Sequence, residues 1–145
     1  MYKHILIPTD GSQLSTGAVE KALVFAQEVG ARATILTVTE PFRVFSATIE
    51  QLELTRKEYD QHCKQMAERI LADANGRART IGTECSTAQF SSDEPASAII
   101  ETAEERGCDL IAMASHGRKG LAALLVGSVT IKVLAHSKTP VLVYR

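Results

Sequence analysis

The chain has 145 residues, of which 45% are hydrophobic and 23% charged, and its formal net charge at pH 7 is −1. Those values fit one globular domain over residues 1–145 with a core of its own. They exclude the strong basic field on which a nucleic-acid or anionic-membrane binder relies, and no apolar run approaches the ~20 residues of a membrane span.

Met1 to His4 runs directly into a strand-like stretch, without the charged leader, apolar centre and cleavage site of a secretory signal. Cys63, Cys85 and Cys108 are widely spaced, odd in number and lack a C-x-x-C pair. They are expected to be reduced, mostly buried thiols of a cytoplasmic protein.

Ile5-Leu6-Ile7, ending at Pro8, reads as a buried strand, followed by a turn (Thr9-Asp10-Gly11-Ser12) and a helix capped by Ser12 or Asp10. Ala18, Ala22, Phe25, Ala26 and Val29 mark the apolar side of that helix, and Gly30 stops it. Ala33 to Val38 is a second strand rich in β-branched residues, ended by Pro41. Phe42 to Ala47 reads as loop. From about Thr48 to Ala78 the spacing of Leu52, Tyr59, Cys63, Met66, Ala67, Ile70, Leu71 and Ala74 predicts a helix with a solvated charged face.

Thr83 to Gln89 predicts a third strand, exposed on one side, and Ser91 to Pro95 a helix start with an early proline. The helix spans Ala96 to Arg106, with Ala98, Ile99, Ile100 and Ala103 apolar, and Gly107 closes it. Asp109 to Met113 is the fourth strand, and Ser128 to about His136 the last helix, with Val129, Val133 and Leu134 inward. Pro140 to Tyr144 is the fifth strand. Strands alternating with helices imply an α/β fold, a parallel sheet with helices on both faces.

Ligands of such sheets bind beyond the carboxyl ends of strands where the strand order reverses. Two of those ends carry unusual loops: Pro8 to Ser12, and the small-residue stretch from Ala114 to Ser128 with Ser115, Gly117, Gly120 and Gly127. Glycine permits close backbone approach, and a helix starting just after such a loop aims free N–H groups at an anion. Phosphate is expected on the Gly117 and Gly127-Ser128 amides, with the hydroxyls of Ser128 and Thr130 as further donors. Asp10 suits a ribose hydroxyl or a metal bridging phosphates, and the backbone of Val38 suits an adenine edge. Neither G-x-x-x-x-G-K-[ST] nor G-x-G-x-x-G is present. Gly117-Arg118-Lys119-Gly120 matches only the bare GxxG of RNA-binding KH domains, in the wrong surroundings and charge.

The stretches Ile5-Leu6-Ile7-Pro8-Thr9-Asp10-Gly11-Ser12, Asp109-Leu110-Ile111 with Ser115-His116-Gly117, and Gly127-Ser128-Val129-Thr130 with Pro140-Val141-Leu142-Val143 resemble the universal stress protein (UspA) superfamily over essentially the whole length. Its nucleotide-binding branch carries G-x2-G-x9-G-[ST]. Gly117, the nine residues Arg118 to Val126, and Gly127-Ser128 match, but Ala114 stands at the first glycine. Alanine is costly there if φ is positive and nearly harmless if it is negative.

The resemblance implies a doubly wound open sheet of five parallel strands, order 3-2-1-4-5, and a homodimer, often through the last strands (here Val141, Leu142, Val143). It implies ATP or AMP as ligand, with Mg²⁺ or Mn²⁺ as companion ion. The matching contact positions are Pro8, Thr9, Asp10, Val38, Met113, Ala114, His116, Gly117, Gly127, Ser128, Val129 and Thr130. A regulatory stress-response dimer is the expected role. Two other readings stay open: a slow metal-dependent ATPase, for which the sequence shows no general base, and an interaction module that has lost the nucleotide. Leu121, Leu124 and Leu125 are expected to pack in the core, and no histidine has metal-ligand spacing.

Overall fold

The computed structural model describes residues 1–42, 49–116 and 126–145 (in residues 49–51 and 54, the backbone only). Strands β1 (His4–Pro8), β2 (Arg32–Thr39), β3 (Cys85–Ser91), β4 (Leu110–Ala114) and β5 (Val141–Tyr144) alternate with helices α1 (Gln13–Val29), α2 (Ile49–Ile81), α3 (Pro95–Glu105) and α4 (Ser128–His136). The strands form one sheet of order β3-β2-β1-β4-β5, every neighbouring pair parallel. This is the topology that the resemblance implied.

Successive strand residues face opposite sides of a sheet, so each strand feeds two cores. Ile5, Ile7, Ile35 and Ala112 pack under α1 and α2, with Val19, Leu23, Ala26 and Ala74. Leu6, Leu36, Ile111 and Met113 pack under α3 and α4, with Ile99, Ala103 and Val133. Covered on both faces, β1 and β4 are buried at every position.

α1 starts at Ser12, whose Oγ accepts from the Ser15 amide, and ends at Gly30, whose φ of 73° is the left-handed turn expected of a glycine cap. Its inward face is Ala18, Val19, Ala22, Leu23 and Ala26, whereas Val29, expected inward, is exposed and Phe25 is half-buried. Ala18, Ala22 and Ala26 interleave with Val19 and Leu23 against the sheet, and Phe25 and Val29 lie toward the rim. In α4, Val133 is fully buried but Leu134 is exposed, a correction that follows from the 100° rotation between successive helical residues. β3 is an edge strand, exposed on most of both faces rather than one, with Phe90 bare at its end. β5 is half-buried throughout because it is the opposite edge, a point its apolar sequence does not reveal. The predicted loop 42–47 is described only at Phe42.

The amino-terminal edge of the sheet is stapled by polar groups. Asp109 accepts from the amides of Lys3 (2.9 Å) and His4 (3.0 Å). Burial opposes the charge of Asp109, but these amide bonds outweigh it and hold its pKa below the usual value. His4 Nε2 lies 2.7 Å from Thr34 Oγ1, which meets Ser86 Oγ at 2.9 Å, while His4 Nδ1 is buried without a hydrogen-bond partner among the described residues. Burial, and then the charge of Arg32, push the His4 pKa down. The cysteines are free; burial lifts the Cys108 thiol to about 11, which leaves it inert, and Cys63 and Cys85 are half-buried.

Candidate functional site

Because the strand order reverses between β1 and β4, their following loops leave toward opposite faces and open a crevice at the carboxyl edge. On the β1 side the chain is held tightly. The Thr9 amide donates to the Leu36 carbonyl at 2.8 Å, tying the end of β1 to β2. Thr9 Oγ1 accepts from the Ser15 hydroxyl at 2.7 Å and from the Gly11 amide at 3.2 Å, and Ser15 Oγ accepts from the Asp10 amide at 3.2 Å. Asp10 Oδ1 accepts from the Ser12 amide at 3.0 Å, an Asx turn that Gly11 completes with φ 78°. Asp10 therefore serves the turn that follows β1.

The β4 side is pinned at both ends of its loop. β4 runs one residue further than predicted, so Ala114 is a strand residue paired with Tyr144. The Ser115 amide donates to the Tyr144 carbonyl (2.7 Å), and the Gly127 amide donates back to the Ser115 carbonyl (2.7 Å). Thr130 Oγ1 donates to the Ala114 carbonyl at 2.9 Å and is buried. In this structure the Thr130 hydroxyl is spent on the scaffold, and its expected role as a phosphate donor competes with that bond. No described residue other than glycine has a positive φ, so Ala114 carries no backbone strain.

The helix α4 begins at Gly127, which has φ −66° and no side chain to cap the first turn. Its first internal bond runs from the Ile131 amide to the Gly127 carbonyl, so the amides of Ser128, Val129 and Thr130 precede the helical ladder, where an anion binds. Gly127 presses on the start of the loop. A Cβ there would lie 2.9 Å from His116 Cβ and 3.0 Å from His116 Cα.

Of the predicted contact residues, Pro8, Thr9 and Asp10 lie at the end of β1, Met113, Ala114 and His116 at the end of the neighbouring β4, Gly127, Ser128, Val129 and Thr130 at the start of α4, which is bonded to the end of β4, and Val38 near the end of β2. Ser128 is exposed, Val38, Val129 and His116 half-buried, and Met113 and Ala114 buried. Gly117, Gly120, Arg118, Lys119, Leu121, Leu124 and Leu125 lie outside the described residues. His116 Nδ1 lies 3.0 Å from Ser115 Oγ, but Ser115 is buried, so this pair does not present a nucleophile. Among the described residues no cluster of three or more His, Cys, Asp or Glu side chains is placed to hold a metal. The sequence reading missed Ser15, whose hydroxyl joins Thr9 to Asp10; its position three residues after the cap Ser12 was the available signal.

Comparison with known proteins agrees with this geometry. The model of the universal stress protein family matches residues 1–145. The universal stress protein YxiE of Bacillus subtilis strain 168 is 31% identical, with all of both chains covered. The solved universal stress protein UspA of Lactobacillus plantarum superposes with a TM-score of 0.84 at 25% identity, covering 99% of this chain and 98% of that one. A universal stress protein solved in complex with cAMP gives a TM-score of 0.73 at 28% identity, covering 99% and 97%. Sequence, topology and these likenesses agree, and the chain belongs to the universal stress protein family.

Proposed function

We propose that the chain binds an adenine nucleotide, ATP or AMP, in the crevice between β1 and β4. The observation that carries the reading is the uncapped start of α4, tied by Gly127 and Thr130 to the end of β4, the strand that neighbours β1 and its Thr9–Asp10 turn. The family member solved with cAMP supports the ligand class. Phosphate sits on the amides of Ser128, Val129 and Thr130 and the hydroxyl of Ser128; Thr9 and Asp10 meet the ribose, and the Val38 backbone meets the adenine. Pro8, Met113, Ala114 and His116 complete the walls, and Gly117 adds its amide. An accompanying Mg²⁺ or Mn²⁺ would neutralise phosphate charge, with Asp10 as the nearest carboxylate of the set.

The role is that of a regulatory stress-response protein, one domain over residues 1–145, in the cytoplasm. It works as a homodimer through the edge strand β5, whose Val141, Leu142 and Val143 are half-buried, and Ile131 and Leu134 of the preceding helix α4 are exposed. An unpaired apolar edge of this kind calls for a partner strand. Thermal melting with ATP, AMP and GTP tests the ligand. A nucleotide at about 100 times its dissociation constant adds about 2.7 kcal/mol, and the adenine nucleotides should raise the melting temperature by several degrees while GTP does not. No shift with any nucleotide would leave the partner-binding module as the surviving reading.

A further inference from the structure

A cleft of about 220 Å³ lies between α1 and α2, beside the turn after β1, and Arg69 and Asp73 of α2 line it together with Thr9 and Thr16. Val19 and Ile70 give it an apolar back wall. The crevice assigned to the nucleotide shares Thr9 with it but lies toward α4.

Asp73 is already engaged. Arg77 Nε bonds its Oδ2 at 2.9 Å, and Arg77 Nη1 reaches Glu20 at 3.3 Å. Arg69 sits one turn before Asp73 on the same helix face, yet makes no ion pair among the described residues. The order of charges explains this: an acid four residues before a base is the favourable sense on a helix, which Asp73–Arg77 has and Arg69–Asp73 lacks. The cleft thus offers a guanidinium with its fork of donors uncommitted, a nearby Thr16 hydroxyl, and a carboxylate whose charge Arg77 offsets. Guanidinium forks match tetrahedral oxyanions. The volume is below that of pockets for drug-sized ligands, about 300–1,000 Å³, so a second nucleotide does not fit and a small anion does.

We propose that this cleft is a binding site for a small phosphate-class oxyanion, held by Arg69 and seated against Thr16. The site is independent of the nucleotide reading. The test is a titration of the full chain with inorganic phosphate at constant ionic strength, followed by amide ¹⁵N NMR. Saturable shifts centred on Thr16 and Arg69 are expected. Arg69→Gln, at an exposed helix position that leaves the fold intact, should weaken binding at least tenfold, and Arg69→Lys should restore part of it. Shifts centred on Ser128 and Val129 would place phosphate in the nucleotide crevice and overturn the proposal without touching the nucleotide reading. Shifts unaltered in Arg69→Gln, or no saturable shift at all, would overturn it as well.

Discussion

Gly127→Ala adds a single methyl at the tightest backbone approach of the site. The new Cβ would meet His116 Cβ at 2.9 Å, His116 Cα at 3.0 Å and the Ser115 carbonyl oxygen at 3.4 Å. Gly127 has φ −66° and ψ 156°, which any residue adopts, so the effect is steric and not conformational. Comfortable carbon–carbon contact needs about 3.5–4.0 Å. Neither His116 atom can rotate away, so the chain at 115–116 must part from the start of α4 by roughly half an ångström or more. That separation stretches the 2.7 Å bond from the Gly127 amide to the Ser115 carbonyl. Overpacking of this kind costs about 1–3 kcal/mol. For a chain of this size, that lowers the melting temperature by about 3–9 °C.

Displacing the first turn of α4 should also weaken adenine nucleotide binding at least tenfold, about 1.4 kcal/mol. Gly17→Ala is the control: a Cβ there meets nothing within 4 Å in the middle of α1, so it should stabilise by about 0.5–1 kcal/mol. Calorimetric melting of the two variants with and without nucleotide makes the comparison. If Gly127→Ala melts within a degree of the parent and keeps its nucleotide shift, the close approach is not what shapes the site.

Thr130→Val strands the buried Ala114 carbonyl, so urea unfolding should show a loss of about 1–3 kcal/mol; a loss confined to nucleotide affinity, with stability unchanged, would return the hydroxyl to the ligand. The depressed pKa of His4 makes stability full above its unfolded value of 6.5, lost as pH falls from there through the folded value. Unfolding free energies at pH 8, 6.5 and 5 should therefore decline on the acid side, less steeply in His4→Phe; equal slopes in the two proteins would show that His4 is not the titrating group. Asp109 adds a further loss below about 3.8 for the same reason. Leu134→Lys, at an exposed apolar position of α4, the helix that precedes β5, should weaken self-association in sedimentation equilibrium, and an unchanged dimer would move the interface elsewhere.

The sequence carried the sheet well, because β1 and β4 are covered on both faces and so read as unbroken apolar runs. The Gly30 stop is legible because its φ of 73° is one that side chains disfavour, and the Gly127 helix start because a residue without a side chain precedes Ser128 where the chain passes close to His116. Other features depend on three-dimensional neighbours and leave little trace. Val133 and Leu134 are equally apolar, and only the rotation of α4 decides that one is buried and the other bare. Nothing in the sequence tells that β4 extends to Ala114 and offers the Thr130 hydroxyl a carbonyl. Arg69 looks like one more solvated charge until Asp73 is seen to pair with Arg77 instead. The cost of Ala114 turned on a backbone angle, and its place in β4 resolves that in favour of alanine.

The most direct measurement is isothermal titration calorimetry of the full chain with ATP, AMP and GTP, with and without Mg²⁺. The account expects saturable binding of an adenine nucleotide, about one per chain, that GTP does not reproduce and that Gly127→Ala weakens at least tenfold. Heats of dilution alone for both adenine nucleotides, or equal binding of GTP, would contradict it.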